Sequence, residues 1–243
     1  MKIGLIVTTY NRLDYFKQCI QSLEENNYGG ADFIVIVDDN SDDGTKEYLD
    51  TIDTADITIS KEENKGVANS KNIGMQECLD AGCDYIFTME DDILMTHPDT
   101  CKEYIKFGEK HKLQHMNFAH HGEMNKVQPT MVDYEVPCYP NCVGAFSMYS
   151  REVLEVIGLM DEEFKNAWEH VEHTYRICLA GYTTPFWFFA DHPVSEIMLK
   201  EIEGSIDNSA IRPREDWQAN IISGKAYFIK KHGTWLPPRP GQE

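Results

Sequence analysis

Hydrophobic and polar positions along the first part of the chain form blocks that predict strands and helices in turn. Residues 3–7 are a continuous apolar run, which is typical of a strand buried on both faces of a sheet. Residues 13–25 carry apolar side chains at a helical spacing, and the asparagines and glycines that follow predict the end of that helix. The same signals predict further strands at 33–37, 57–59 and 85–89 and further helices beginning at 45 and spanning 67–81.

The later part of the chain has a weaker pattern. Residues 125–141 contain three prolines and no clear period, and they are predicted to form a loop region. A helix over 169–180 is expected to end at Gly181, because glycine commonly follows the last helical residue. The remaining predictions are strands at 114–119, 143–149 and 183–190 and helices at 99–112, 151–157 and 216–231.

Strand–helix alternation repeated three times predicts an α/β fold with a mostly parallel central sheet and right-handed crossovers. In such sheets, ligands bind beyond the carboxyl ends of the strands. The turns at residues 8–12, 38–44 and 90–92 each follow a predicted strand. They are therefore expected to meet at one edge of the sheet and to form a nucleotide site.

Three consecutive carboxylates, Glu90, Asp91 and Asp92, follow the strand at 85–89 and are flanked by apolar residues. Burying them without partners would cost several kcal/mol each. A hard divalent cation, shared with the phosphates of a ligand, is one arrangement that accommodates them. The alternative is an acidic turn that lysine or arginine neutralises, and the pattern leaves both interpretations open.

The turns after the first two strands supply further candidates for ligand binding. Asp38 and Asp39 can accept hydrogen bonds from a nucleobase or ribose, or can cap the following helix. Thr8 and Tyr10 can contact a base edge and ring, or can be simple turn residues, and Arg12 closes the same turn.

Basic and titratable side chains elsewhere complete the candidate site. Lys65 and Lys71 can supply positive charge to a diphosphate, and the alternative for this stretch is a solvated loop. Residues 168–173 place acid and imidazole groups at a helix start, where the helix dipole favours carboxylates and a group can act as a general base. The alternative is a solvated helix end with His173 on the surface. His192 follows a predicted strand and is a candidate metal ligand. The histidines expected at the surface or in loops are His111, His115, His120 and His121.

Composition and net charge disfavour some classes of binding partner and of cellular location. The chain has 243 residues and a formal net charge of −19, which disfavours nucleic acid and anionic membrane surfaces. No apolar run approaches the roughly 18 residues needed to cross a bilayer, so no integral membrane segment is expected. The 7 cysteines lack paired CxxC spacing, which favours a reduced, cytoplasmic protein.

With these residues identified, the sequence resembles the nucleotide-sugar glycosyltransferases of the GT-A fold, family 2. The similarity includes the opening strand and turn through Arg12, the second strand with its aspartate turn, and the stretch from Asn64 to Asn72. Glu90–Asp92 occupies the place of the D-x-D metal motif, and residues 158–181 resemble the acceptor-side block.

The resemblance implies one GT-A domain over residues 1–243, with a nucleotide-sugar half at 1–95, an acceptor-side half at 96–211 and a C-terminal helix and tail. It implies sugar transfer from a nucleoside diphosphate-sugar, with UDP favoured, to a hydroxyl of a glycan or glycoprotein acceptor. Mn²⁺ or Mg²⁺ would stabilise the leaving diphosphate. Asp92 would ligate this metal, Asp91 would lie near the metal or ribose, and Asp39 would hold the base.

Two residues depart from the family pattern. Glu90 begins the acidic motif in place of aspartate, and His170 stands where the family commonly has its catalytic aspartate. The base is therefore His170, Glu169 or Glu172, with inversion of configuration expected. Two other functions remain open: a sugar-phosphate nucleotidyltransferase, disfavoured because residues 8–12 lack a glycine-rich phosphate loop, and an inactive nucleotide-sugar-binding relative.

Overall fold

A six-stranded sheet runs through the protein, and it is mostly parallel, as predicted. The computed structural model describes residues 1–53, 55–120, 131–133, 135–184, 188–205, 207–213 and 215–236. The strands lie in the order β3-β2-β1-β4-β9-β6, with only β9 antiparallel to its neighbours. Their bounds are β1 Ile3–Thr9, β2 Phe33–Asp38, β3 Ile57–Ser60, β4 Tyr85–Glu90, β6 His115–Asn117 and β9 Phe146–Ser150.

The central position of β1 explains its continuous apolar sequence. Every residue of β1 is buried, and alternate side chains enter two separate cores: Leu5 and Val7 pack into one, and Ile6 packs into the other. Parallel pairing with both neighbours aligns Thr9 with Asp38 of β2 and Thr8 with Glu90 of β4. The three turns expected to meet therefore lie at one edge of the sheet.

Helices cover both faces of this sheet. The first core receives side chains from α1 and α4, and the second receives them from α3, α5 and α6. The helices are α1 Leu13–Glu25, α2 Thr45–Leu49, α3 Val67–Asp80, α4 Thr100–His111, α5 Arg151–Ile157, α6 Glu169–Leu179, α7 Ser195–Met198 and α8 Trp217–His232. Each predicted helix is present with bounds close to those expected from its apolar spacing.

Two small antiparallel sheets stand beside the main one. The first has the order β10-β8-β7 and the second pairs β11 with β5. Their strands are β5 Ile93–Met95, β7 Met131–Asp133, β8 Val136–Tyr139, β10 Phe189–Ala190 and β11 Leu199–Glu201. The predicted loop over 125–141 is therefore wrong for β7 and β8, where backbone pairing overrides the prolines. Of the strand predicted at 183–190, residues 185–187 lie outside the described part of the chain, and within that part Phe189–Ala190 form the strand.

Two histidines lie inside the protein on either side of Tyr149. The rings of His115 and His173 stack on the Tyr149 ring, with centroids 4.6 and 5.3 Å away. His115 Nδ1 donates to the Met148 carbonyl at 2.8 Å, and Nε2 accepts from the Thr174 hydroxyl at 2.8 Å. Burial lowers the pKa of His115 to about 4 and lowers the pKa of His173 well below its usual value. The expectation that His115 lies in a loop or at the surface is wrong, and so is the alternative that places His173 there.

Candidate functional site

A cleft of about 350 Å³ opens where the turns after β1, β2 and β4 meet, a size within the usual range of small-molecule sites. The acceptor-side helix α6 and the segment before α8 close it. Its polar and charged lining includes Thr8, Thr9, Tyr10, Arg12, Asp39, Ser70, Glu90, Asp91, Asp92, Asn166, Glu169, His170, Ser205, Ser209 and Arg212. The structure therefore brings predicted residues from four separate stretches of sequence into one cavity.

Asp39 fixes the loop that follows β3. Its carboxylate accepts hydrogen bonds from the backbone N–H groups of Lys65 and Gly66, at 3.0 and 2.8 Å, and from the Lys61 ammonium. Asp39 is 5% exposed and still lines the cleft. Each carboxylate oxygen can accept more than one hydrogen bond, so Asp39 remains able to bind a ligand donor.

Asp38 lies behind the cleft rather than in it. This fully buried carboxylate accepts hydrogen bonds from the backbone and hydroxyl of Ser41 and, at 2.9 Å, from the hydroxyl of Ser60. These contacts tie the turn after β2 to the end of β3. Asp38 is thus placed to shape the turn that presents Asp39, and the structure does not bring it to the ligand cavity.

Asp91 and Asp92 line the cleft at the end of β4. Asp91 accepts a hydrogen bond from the Thr9 hydroxyl at 2.7 Å. One nitrogen of Arg12, Nη1, lies 3.2 Å from Asp91 Oδ1 and 3.1 Å from Asp92 Oδ2. Burial raises the pKa of Asp91, against the opposing influence of the Arg12 charge. The acidic turn is therefore partly neutralised by arginine, as one of the two sequence interpretations expected.

The same pair of carboxylates suits a divalent cation. Mg²⁺ is commonly held by one or two carboxylates together with substrate phosphates. Asp92 Oδ1 is buried and has no hydrogen-bond partner among the residues the structure describes. Within that part of the chain, no group of three or more His, Cys, Asp or Glu side chains is arranged to hold a metal. The donor set fits a cation that a ligand helps to coordinate.

Glu90 forms an ion pair with Lys71 of α3. Lys71 Nζ lies 2.6 Å from Glu90 Oε1 and donates to the Gly144 carbonyl at 2.9 Å. Lys71 is fully buried; burial lowers its pKa, but the charges of Glu90 and Glu169 outweigh that effect and raise it. The longer arm of Glu90 thus reaches a lysine, and the structure does not bring Lys71 to the cleft surface.

Glu169 and His170 begin α6 inside the cleft. His170 Nδ1 lies 3.1 Å from Glu169 Oε1, and its Nε2 donates to the Cys142 carbonyl at 2.9 Å. Burial alone would raise the pKa of Glu169, but the hydrogen bond and charge of His170, with the charge of Lys71, lower it to about 2. Glu169 Oε2 is buried without a partner among the described residues. Glu169 is therefore a deprotonated residue of the cleft lining, with one buried oxygen that has no partner among the described residues.

Glu172 lies one turn further along α6 and away from the cavity. It is fully buried and contacts Arg176 of its own helix and Lys231 and His232 of α8, at 3.0, 2.9 and 3.0 Å. These contacts join α6 to α8. The structure places this candidate base in an internal ion-pair network that does not reach the cleft.

Lys65 and His192 also lie outside the cavity. The Lys65 ammonium pairs with Glu63 at 2.7 Å, and both side chains are exposed. The His192 ring packs against Phe107 and Tyr104 of α4, with centroids 4.9 and 5.5 Å away. Lys65 contributes to the site through its backbone N–H, and His192 is not brought to Asp91 or Asp92.

Comparisons with known proteins bear on this geometry. The sequence model described as glycosyl transferase family 2 matches residues 5–158 of this chain. This range includes the turns that carry Asp39, Asp91 and Asp92.

The chain belongs to glycosyl transferase family 2. Over 178 residues, it is 25% identical to the dTDP-rhamnosyl transferase RfbF of Shigella flexneri, which covers 66% of this chain and 58% of that protein. The chain thus spans little more than half the length of this family 2 relative.

Solved structures show that this family 2 chain has the GT-A fold. TarS of S. aureus in complex with UDP matches with a TM-score of 0.56 and 20% identity, over 72% of this chain and 55% of that one. The mannosyltransferase PcManGT of Pyrobaculum calidifontis, in complex with GDP-Man and Mn²⁺, matches with a TM-score of 0.57 and 18% identity, over 75% and 53%. Among the described residues of the family 2 chain, no helix is both long and apolar enough to cross a membrane.

Several lining residues of this family 2 site were not predicted from the sequence. Trp168 precedes α6 with a φ of 75°, a left-handed conformation that is uncommon outside glycine, and its indole N–H donates to the Ile221 carbonyl at 3.0 Å. Trp217 and Arg212 reach the cleft from the C-terminal segment. Tryptophans 168 and 217 lie far apart in the chain, and no spacing signal relates them.

Proposed function

We propose that the protein transfers a sugar from a nucleoside diphosphate-sugar to a hydroxyl of a glycan or glycoprotein, with inversion at the anomeric carbon. The observation that carries this proposal is the meeting of Asp39, the Asp91–Asp92 pair and Glu169 in one cleft of a family 2 chain. UDP is the favoured nucleotide. One relative is named for dTDP-rhamnose transfer, and the solved structures are complexes with UDP or with GDP-Man. The identity of the nucleobase is therefore the first property to test.

The donor half of the cleft has groups for each part of such a substrate. Asp39 accepts hydrogen bonds from the base or ribose, and Thr8 and Tyr10 lie beside it in the lining. Arg12 and Arg212 carry positive charge into the same cavity, where the four lining carboxylates besides Glu169 would otherwise repel a diphosphate. Binding and orientation of the donor therefore fall to residues of the first two turns and the C-terminal segment.

Asp91 and Asp92 are the residues that would hold Mn²⁺ or Mg²⁺ in this cleft, with Asp92 Oδ1 the carboxylate oxygen left without a partner among described residues. A divalent cation there supplies Lewis-acid stabilisation of the leaving diphosphate. Thr9 orients Asp91 through its hydroxyl.

Glu169 is the proposed general base. The Nε2 of His170 faces a carbonyl, which only accepts, and its Nδ1 faces a carboxylate, so both ring nitrogens are occupied. Glu169 Oε2 takes the proton of the acceptor hydroxyl as the hydroxyl oxygen forms a bond to the anomeric carbon. The bond from that carbon to the diphosphate oxygen breaks, and its electron pair leaves with the diphosphate. A single displacement of this kind inverts the configuration.

His170 is a positioning residue in this scheme. It fixes the Glu169 carboxylate through Oε1 and is itself anchored by the Cys142 carbonyl. Gly144 makes room for its ring: a Cβ at that position would lie 2.6 Å from His170 Cγ.

The acceptor half of the cleft supports a glycan or glycoprotein. Trp168, Trp217 and Ile221 line it together, and aromatic rings provide rigid, amphipathic contact area suited to sugar faces. The cysteines support a cytoplasmic location as a further part of the proposal, since all seven lie in the described chain as thiols.

Calorimetric titration with UDP, dTDP and GDP, each with Mn²⁺, tests the donor assignment. We expect one nucleotide to bind in preference to the others and Asp39→Asn to weaken its binding. Slow release of that nucleoside diphosphate from its sugar donor is expected even without acceptor. Binding without any release over hours would favour an inactive relative, and no binding of the three would overturn the donor assignment.

A further inference from the structure

Arg12 occupies the position between Asp91 and Asp92. Its Nη1 alone contacts both carboxylates, at 3.2 and 3.1 Å, and the three side chains are 12%, 5% and 14% exposed. A positive charge that bridges two adjacent carboxylates within the cleft stands where a bridging cation would stand. The third carboxylate of the motif, Glu90, has its own partner in Lys71.

The ion pair leaves hydrogen-bonding capacity unused. Arg12 Nε and Asp92 Oδ1 are both buried and lack partners within the described residues. Arginine and carboxylate groups that pair for stability commonly form two parallel hydrogen bonds, which would use these atoms. The contact through a single nitrogen, Arg12 Nη1, therefore leaves Asp92 Oδ1 available to another ligand.

Arg12 also ties the carboxylates to the edge of the cleft. Its Nη2 donates to the Ser205 carbonyl at 3.0 Å, and its guanidinium carbon lies 4.9 Å from the centre of the Tyr15 ring. The Ile202 N–H, three residues before Ser205, donates to the Asp92 carbonyl at 2.8 Å. The side chain has partners in two directions, so it can leave the carboxylates without becoming isolated.

We propose that Arg12 is a built-in counter-cation for Asp91 and Asp92, and that it competes with a divalent cation for this pair. The metal gains its ligands when the guanidinium moves off the carboxylates towards Ser205 and Tyr15. This inference rests on the proposed function for the identity of the cation. Beyond that function, Arg12 sets the affinity of the site for the metal when no sugar donor is present.

Binding of Mn²⁺ alone, followed by the paramagnetic resonance signal of the free ion, tests the competition without any nucleotide. We expect Arg12→Gln to bind Mn²⁺ at least about tenfold tighter than the wild type, because a charge that competes for both carboxylates is gone. Adding Asp92→Asn to Arg12→Gln is expected to abolish that gain. Circular dichroism of each variant shows whether the fold is kept.

Equal or weaker Mn²⁺ binding by a folded Arg12→Gln variant would overturn the proposal, as would failure of every variant to bind the ion. If Arg12→Gln does not fold, Arg12→Lys decides the question: its ammonium keeps the competing charge but lacks the second nitrogen that bonds Ser205, so it has less to move to and affinity for Mn²⁺ below that of the wild type is expected. Affinity equal to or above that of the wild type would count against the competition. The nucleotide titration is separate, so its failure bears on the proposed function alone.

Discussion

Lys71 Nζ and Glu90 Oε1 lie 2.6 Å apart, with the lysine fully buried and the glutamate at the floor of the cleft. Removing the lysine leaves a carboxylate without its buried partner. We expect Lys71→Met to lower the free energy of unfolding by about 2–4 kcal/mol. Urea denaturation measures this change. Lys65→Met is the matched control, since Lys65 is exposed and its loss is expected to change stability by less than about 0.5 kcal/mol.

The base assignment is tested by separating Glu169 from Glu172. Glu169→Gln is expected to lower kcat by about 100- to 10,000-fold while donor binding is kept, because the unpartnered oxygen no longer accepts a proton. Glu172→Gln removes a negative charge from the network with Lys231 and His232, so we expect lower stability and near-normal kcat in the folded protein. Full activity of Glu169→Gln would show that another group is the base.

Two glycines separate backbone strain from contact with His170, the residue proposed to position the general base. Gly144 and Gly158 have φ values of 77° and 82°, so alanine at either position is strained by about 1–2 kcal/mol. The Gly144 Cβ would meet the His170 ring, whereas no residue of the described part of the chain lies within 4 Å of the Gly158 Cβ. We expect both variants to lose stability, Gly144→Ala the more because of this close contact, and Gly144→Ala alone to lose kcat. Equal kcat values would contradict the positioning role of His170.

The free energy of unfolding is expected to decrease as the pH falls, because His115 is buried in its neutral form. Its pKa is about 4 in the folded protein and about 6.5 when unfolded. The unfolded chain therefore binds more protons between these values, and stability is lost as pH falls from about 6.5 towards 4 by up to about 3 kcal/mol. Denaturant midpoints measured across this range test the slope. His115→Gln, which cannot titrate there, is expected to reduce it, and an unchanged slope would exclude His115 as its source.

Asp191 lies between β10 and α7 and contacts α4 through Tyr104. Its buried carboxylate accepts hydrogen bonds from the Tyr104 and Ser195 hydroxyls and from three backbone N–H groups. We expect Asp191→Asn to lower the melting temperature, with a loss of about 2–4 kcal/mol, because the amide nitrogen cannot accept. The half-exposed Asp99 provides the control, and Asp99→Asn should leave the melting temperature nearly unchanged.

The nucleotide-binding half could be predicted because its signals are local. Each buried strand is a continuous apolar run, and each turn follows its strand directly, so parallel pairing alone brings Asp39 and Asp91 to one edge. Expectations failed where long-range contacts decide the outcome. The strands at 131–133 and 136–139 depend on pairing with each other and with β10, and His115 is buried by Tyr149 and Thr174.

Local sequence signals also do not predict which residues the charged groups pair with. Nothing near Glu172 in the sequence indicates that Lys231 and His232 will meet it, and nothing in the acidic motif identifies Arg12 as its neutralising residue. The sequence could therefore propose which groups carry chemistry, but only the fold shows which of them are already engaged.

The contact of α8 with Glu172 has a consequence for how this protein can be altered. The last helix anchors the element that carries Glu169 and also supplies Trp217 and Ile221 to the cleft wall. A chimaera whose junction lies between α6 and α8 would support the helix that carries Glu169 with a foreign α8. An exchange of substrate preference between relatives therefore requires that α6 and α8 be transferred together.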